Sequence, residues 1–252
     1  MDPAYGERYR DLYQNHWWWR ARNELITEKL RALFPAPGRE TILDIGCGDG
    51  LFFDRLARFG EVDGLEPGAA LVSGDNPHRD RIYIGEFDDR FLPGKRYSLI
   101  LMLDVLEHLP DPAAALRRVE SLLQPGGKFV VTVPAFMALW TNHDVLNQHY
   151  IRYTKDSFRQ LAHQTSLEIE EQRYFYHWTF PAKLGVRALE RISHSTPTPA
   201  TIPTRWANEL LFTVSRIEQK TITRLPIPFG SSLLVVATKP AQTSPRDAAI
   251  PK

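Results

Sequence analysis

The stretch "ILDIGCGDG", residues 42–50, decides the fold. An Ile/Leu-rich run with the character of a buried strand feeds directly into Gly46-x-Gly48-x-Gly50, and a helical segment follows. Glycines let the backbone turn tightly and let a ligand approach the main chain, with N–H groups pointing at it. A dinucleotide fingerprint would read G-x-G-x-x-G, and its third glycine would fall on Leu51. Asp49 also sits inside the turn. An acid there is a poor neighbour for a pyrophosphate and a reasonable one for a sulfonium or an ammonium group.

Outward from the turn, short apolar runs alternate with helical stretches. The runs are 41–46, 61–66, 81–86, 97–103 and 128–134. They are rich in Ile, Leu and Val without strict alternation, as expected for strands buried on both faces. The helical stretches are "LFFDRLARFG", a short "GAALVSG" and "DPAAALRRVESLLQPGG", with Pro125-Gly126-Gly127 expected to stop the last. This order predicts an α/β fold with a parallel, doubly wound sheet. Two further strands are expected at 166–176 and 231–239. Between them a helical insertion, about 177–228, carries helices at 181–193 and 205–224. Upstream, a helix is expected over 23–34, preceded by "NHWWWRAR", residues 15–22. The reading divides the chain into an N-terminal helical and aromatic lid (1–40), a main domain (41–240) and a disordered tail (241–252).

The composition limits the function. A net charge of +1 across 252 residues offers no global field for nucleic acid. The one cysteine, Cys47, excludes an internal disulfide and a thiolate zinc cluster. Cys47 is read as a small residue packed in the turn rather than a nucleophile. The N-terminus lacks a signal-peptide core, and the longest apolar run is broken by Asp104 and is too short to span a bilayer. A cytoplasmic location is expected.

With these motifs in order, the sequence resembles the class I S-adenosylmethionine-dependent methyltransferases over roughly residues 40–135. "ILDIGCGDG" resembles their first motif, "GLEP" (64–67) the end of their second strand, and "IGEFDD" (84–89) the adenine segment. "LILMLDVLEHLPDP" and "LLQPGGKFVVTVP" resemble the fourth strand and the turn before the fifth. The resemblance implies a seven-stranded Rossmann-like sheet in the order 3-2-1-4-5-7-6, the last strand antiparallel. It implies S-adenosylmethionine as cofactor and S-adenosylhomocysteine as product. Asp44, Gly46, Gly48 and Gly50 would hold the methionine end, with Glu66 and Pro67 at the ribose. Glu86 and Phe87 would lie at the adenine, with Leu103, Asp104 and His108 at the end of the fourth strand. In the N-terminal segment, Trp19 would face the site, and Arg20 or Arg22 could pair with the cofactor's carboxylate, Arg20 being preferred.

Methyl transfer needs alignment, exclusion of water and, for a hydroxyl, a base. Asp104, Glu107 and His108 have i, i+3, i+4 spacing and are expected on one helix face. Some quinone-pathway relatives associate a similar set with a divalent metal, but none is expected here. The loop 141–158 gathers His143, Asp144, His149 and Arg152. They are read either as acceptor-binding and catalytic groups or as a clamp in which Arg152 ties the loop to a carboxylate. The expected partner is a small-molecule acceptor, apolar or aromatic, methylated at oxygen. The insertion would build its pocket or a homodimer contact. A nicotinamide-dependent oxidoreductase and a non-catalytic binding protein of the same fold are the alternatives.

Overall fold

Seven strands order themselves β3-β2-β1-β4-β5-β7-β6 in one sheet. They are β1 (Glu40–Ile45), β2 (Gly60–Glu66), β3 (Ile82–Ile84), β4 (Tyr97–Leu103), β5 (Leu123–Pro134), β6 (Glu168–Phe175) and β7 (Ser232–Thr238). This computed structural model describes residues 3–193, 199–222 and 225–241. The expected disordered tail lies outside the described residues except for residue 241. The first five strands pair in parallel, and β7 runs antiparallel to both β5 and β6. The expected order and the antiparallel last strand are therefore present.

The strand sequences explain the layers. Ile42, Leu99, Leu101 and Val130 point to one face of the sheet, while Leu43, Ile100, Met102 and Val131 point to the other, and all are buried. Each such side chain contributes about 1.5–3 kcal/mol on leaving water. One face is covered by α4 (Pro112–Leu122) and α6 (Lys155–Ala162), the other by α2 (Trp17–Leu33) and α3 (Phe53–Leu56). Asp111 caps α4, its carboxylate accepting from the Ala114 N–H at 2.9 Å, and Pro112 opens the helix without losing a needed donor. Thr154 caps α6 as expected, in a capping box with Ser157.

Four local expectations are corrected. The tryptophans do not precede α2; they form its first turn. Burial keeps His16 neutral, with its titration lowered to about 4, so its Nδ1 caps α2 by accepting from the Trp18 N–H at 3.2 Å. Between β2 and β3 the described chain forms two 3-10 turns, at 69–71 and 79–81, rather than an α-helix. Helix α4 ends at Leu122, and Pro125-Gly126-Gly127 forms a bulge within β5 instead, where the pairing jumps from Tyr97–Leu123 to Leu99–Lys128. Finally, Asp104 is not on a helix. It turns out of β4 with φ of +58°, and only a 3-10 turn follows, Leu106–His108.

The same left-handed geometry recurs at Phe136, just beyond β5, and at Tyr176, just beyond β6. Such backbone costs on the order of 1–3 kcal/mol per residue and clusters where side chains are aimed at a site. All three lie at the carboxyl edge of the sheet, where open α/β sheets bind ligands. The insertion supplies α7 (Thr179–Ser193) and α8 (Arg205–Lys220), with α8 lying along α2.

Candidate active site

Gly46, Gly48 and Gly50 have φ of +71°, +56° and +65°, a run that side-chain-bearing residues rarely adopt. A Cβ on Gly46 would meet Val105 at 2.4 Å, so that position is closed twice over. Gly48 donates its N–H to Glu66 Oε2 at 2.9 Å, and Gly68 donates to Glu66 Oε1 at 2.8 Å. Burial pushes the Glu66 carboxyl up, against the two amides. Asp44, buried in β1, is pushed up to about 7 by burial, with Arg22 opposing and Glu66 adding to the rise. The turn is therefore lined by acids, and the Gly48 donor that a pyrophosphate would need is already engaged.

One expectation about this turn changes. Asp49 does not face a ligand cation: Arg10 pairs with it at 2.8 Å, and Ser73 and Asn76 donate to its other oxygen. It ties α1 (Pro3–Asn15) and the 73–76 loop to the turn. Cys47 behaves as expected, buried against Gly64 with its thiol pushed up by burial.

The N-terminal helices supply the next wall. Arg22, buried on α2, pairs with Asp104 at 2.5 Å and lies over the rings of Tyr13 (5.6 Å) and Trp18 (5.4 Å). Arg20, by contrast, pairs with Glu209 of α8 at 2.5 Å and stacks on Phe212 at 4.3 Å, so the structure does not bring it to the turn. Arg22, the other arginine of the expected pair, is the one at the end of β4. Trp17 packs on Tyr176 and Trp178, while Trp19 packs edge-on against His16 and Trp18. Trp18, not Trp19, is the tryptophan that touches the Arg22–Asp104 pair. Tyr9, Arg10 and Tyr13 of α1 also belong here, with Tyr9 against the Gly48 position. Sequence reading missed them, although tyrosines four residues apart mark one helix face.

A cleft of about 600 Å³ opens beside the turn, lined by Leu65, Pro67, Tyr83, Glu86 and Phe91 among others. Glu86 is exposed at its edge, and Phe87 packs into the core below. Leu103 ends β4 half-buried, and its carbonyl accepts from Arg22 at 3.5 Å.

Across the sheet edge, Asp144 of the short helix α5 (Asn142–Leu146) is the hub of the second cluster. It is fully buried and receives Arg152 through Nε and Nη2, both at 2.8 Å, and the Thr141 N–H at 2.8 Å. His149 Nδ1 lies 2.8 Å from Asp144 Oδ1. Burial opposes ionisation of Asp144, but the bonds from His149 and Arg152 overcome it and hold the carboxyl well below its usual range. Arg152 is thus held by Asp144 and by the Ala135 carbonyl, the geometry of the clamp among its two expected readings. His149 keeps Nε2 for other use. Its ring lies 4.6 Å from His108 and 6.4 Å from His143. Loss of hydration lowers both of those histidines to about 4, so both are neutral at pH 7.

The Tyr150 N–H to Glu107 carbonyl bond, 2.8 Å, joins this loop to the β4 end. Glu107 is buried, one carboxyl oxygen has no hydrogen-bond partner among the described residues, and burial with the nearby Asp104 pushes its titration well up. Donor atoms of Glu107, His108 and His149 lie within 4.8 Å of one another, the set able to share a cation. Lys183 of α7, which the sequence reading passed over, feels Arg152, Asp144 and Asp104; burial lowers it to about 8.

This sheet order, the glycine turn facing buried acids and the second polar cluster at the same edge define the class I S-adenosylmethionine-dependent methyltransferase fold. Residues 18–172 match the family model described as a methyltransferase domain, and the chain belongs to that family. It is 37% identical over 100 residues to a ubiquinone biosynthesis O-methyltransferase of Serratia proteamaculans, covering 35% of this chain and 40% of that one. The chain spans between 40% and 56% of the length of the first such relatives it matches. A Mycolicibacterium smegmatis protein named "Probable S-adenosylmethionine-dependent methyltransferase" is 26% identical, covering 94% of this chain and 95% of that one. Among solved structures, the complex between the Haloferax volcanii Trm112 methyltransferase activator and a methyltransferase has a chain that aligns with a TM-score of 0.59. That chain is 19% identical and covers 96% of each, a likeness of fold.

Proposed function

We propose that the chain transfers the methyl group of S-adenosylmethionine to an oxygen of a small, apolar or aromatic acceptor. The cofactor supplies a methyl group already activated on a sulfonium. The protein's part is to bind, orient and deprotonate. Glu66 offers each carboxylate oxygen a further lone pair for hydroxyl donors, and Asp44 and Glu66 line the glycine turn with carboxyl oxygens that suit a cation. Arg22 sits where a carboxylate could compete for it with Asp104. Residues 1–40 act as the lid over this side, and the insertion caps the acceptor side.

The observation that carries the oxygen assignment is the His149–Asp144 pair. A carboxylate on Nδ1 fixes the proton there and leaves Nε2 as the acceptor for a hydroxyl proton. The name of the Serratia relative supports the same choice of atom. No metal is required in this reading. The Glu107–His108–His149 set favours a second one, in which a divalent cation lowers the hydroxyl's proton affinity. In both, the protein acts in the cytoplasm, and no described helix is long and apolar enough to cross a membrane.

The test is transfer of label from methyl-tritiated S-adenosylmethionine to catechol and to caffeate. Label in an ether product, retained after dialysis against EDTA, is expected. Label on nitrogen only, or no label with any phenol, contradicts the oxygen assignment. Activity lost to EDTA and restored by Mg²⁺ moves the role to the cation.

A further inference from the structure

Helices α7 and α8 are built inside out. On α8 the fully buried residues, which face α2 and Trp178, are polar, with Phe212 half-buried beside Arg20. The Asn208 amide oxygen accepts from the Trp17 N–H at 2.9 Å, Ser215 accepts from the Trp178 indole at 3.2 Å, and Gln219 donates to the Ala21 carbonyl at 3.2 Å. Asn208, Ser215, Glu218 and Gln219 are all buried. The outward stripe is Trp206, Leu210, Val214 and Ile217, spaced 4, 4 and 3 along one face, with Trp206 73% and Ile217 58% exposed. An ordinary surface helix has the reverse pattern.

Helix α7 repeats it. Its charged residues with described side chains, Lys183, Arg187 and Glu190, share one face. Arg187 donates to the Met137 carbonyl at 2.7 Å, and Glu190 accepts from the Asn142 N–H at 3.0 Å. Every exposed α7 residue whose side chain is described is apolar, including Leu184, Val186, Leu189 and Ile192, the last 78% exposed. Leaving this much apolar surface in water is unfavourable, and contiguous exposed apolar patches mark interaction surfaces.

Charge decides the occupant. The exposed charges of α8 are Arg205, Glu209 and Lys220, and Arg20 holds Glu209. The uncompensated charge is therefore positive, one residue at each end of the apolar stripe. A Trp-anchored apolar face flanked by basic residues suits the interface of an anionic bilayer. We infer that the α7–α8 insertion docks this protein onto an anionic lipid surface, lying in the headgroup region without crossing it. The inference does not depend on methyl transfer. It also gives α7 two roles, since its other face lies over the 137–147 segment of the candidate site.

The test is co-sedimentation of the full chain with sucrose-loaded vesicles, either phosphatidylcholine alone or phosphatidylcholine and phosphatidylglycerol in equal parts. Light scattering of the vesicle-free protein accompanies it. Binding to the anionic vesicles should exceed binding to the neutral ones by roughly tenfold and fall with added salt. The double substitution Trp206→Glu with Leu210→Glu should abolish it, while Ala114→Glu, at an exposed position on α4, should not. Thermal melts and S-adenosylhomocysteine binding report that each variant is folded. Three results overturn the inference: no sedimentation of the wild type, equal sedimentation of the double variant, or a wild-type dimer that the double variant splits. The last would make the face a contact between copies.

Discussion

Gly48 donates its backbone N–H to Glu66 Oε2 at 2.9 Å, across the gap between the β1 turn and the end of β2. One carboxylate thus braces the two main-chain segments that border the proposed methyl-donor site. Glu66→Ala removes the brace and the acceptor together. S-adenosylhomocysteine affinity should fall by about tenfold to a hundredfold, the size of a lost hydrogen bond to a charged group, as read by calorimetry. Unchanged affinity would remove Glu66 from the cofactor site.

The His149–Asp144 pair separates chemistry from structure. His149→Gln should lower kcat by about 10²- to 10⁴-fold while leaving S-adenosylhomocysteine affinity unchanged. Asp144→Ala should instead unfold the protein more readily, by about 3–5 kcal/mol, because it leaves Arg152 buried and unpaired. Urea titration beside single-turnover rates distinguishes the two. A His149→Gln enzyme with normal kcat would leave His149 a loop residue.

Asp44 gives a pH dependence with a definite sign. Its titration is raised by burial from 3.8 to about 7, so the fold keeps it protonated where the unfolded chain ionises it. Its stabilising contribution is complete below about pH 4 and is lost as pH rises through 7. Asp44→Asn lacks this titration. The stability of the wild type relative to Asp44→Asn should fall by about 1 kcal/mol per pH unit between those limits. Parallel stability profiles would show that Asp44 is ionised in the fold.

The three tryptophans should come apart on alanine substitution. Trp17 packs against Tyr176 and Trp178, so Trp17→Ala should cost about 2 kcal/mol of stability and little turnover per folded molecule. Trp18 lies over Arg22, so Trp18→Ala should also lower turnover. If Trp18→Ala only destabilises, the tryptophan wall is a core element and nothing more.

These pairs also show what the sequence could and could not reveal. Sheet order and the glycine turn were legible because Ile/Leu/Val runs and glycine spacing act locally. The choice between Arg20 and Arg22 was not. Both sit on the first turns of α2, and only the position of α8, far away in sequence, turns one to Glu209 and leaves the other for Asp104. The same holds for Arg152, whose partner Asp144 was visible while the bidentate geometry was not. The assignment of Asp104 to a helix face failed because its left-handed backbone ends the strand abruptly, which i, i+3, i+4 spacing does not encode. Lys183 carried no local signal; its position depends on how α7 lies over the loop.

The most direct test of the central claim is calorimetric titration of the purified chain with S-adenosylhomocysteine, repeated with Gly48→Arg. One-site binding to the wild type and none to a folded Gly48→Arg protein is expected, since Gly48 has positive φ and faces Tyr9 at 3.4 Å from a built Cβ. No heat with the wild type, or equal binding by the variant, would contradict a methyl-donor site at this turn.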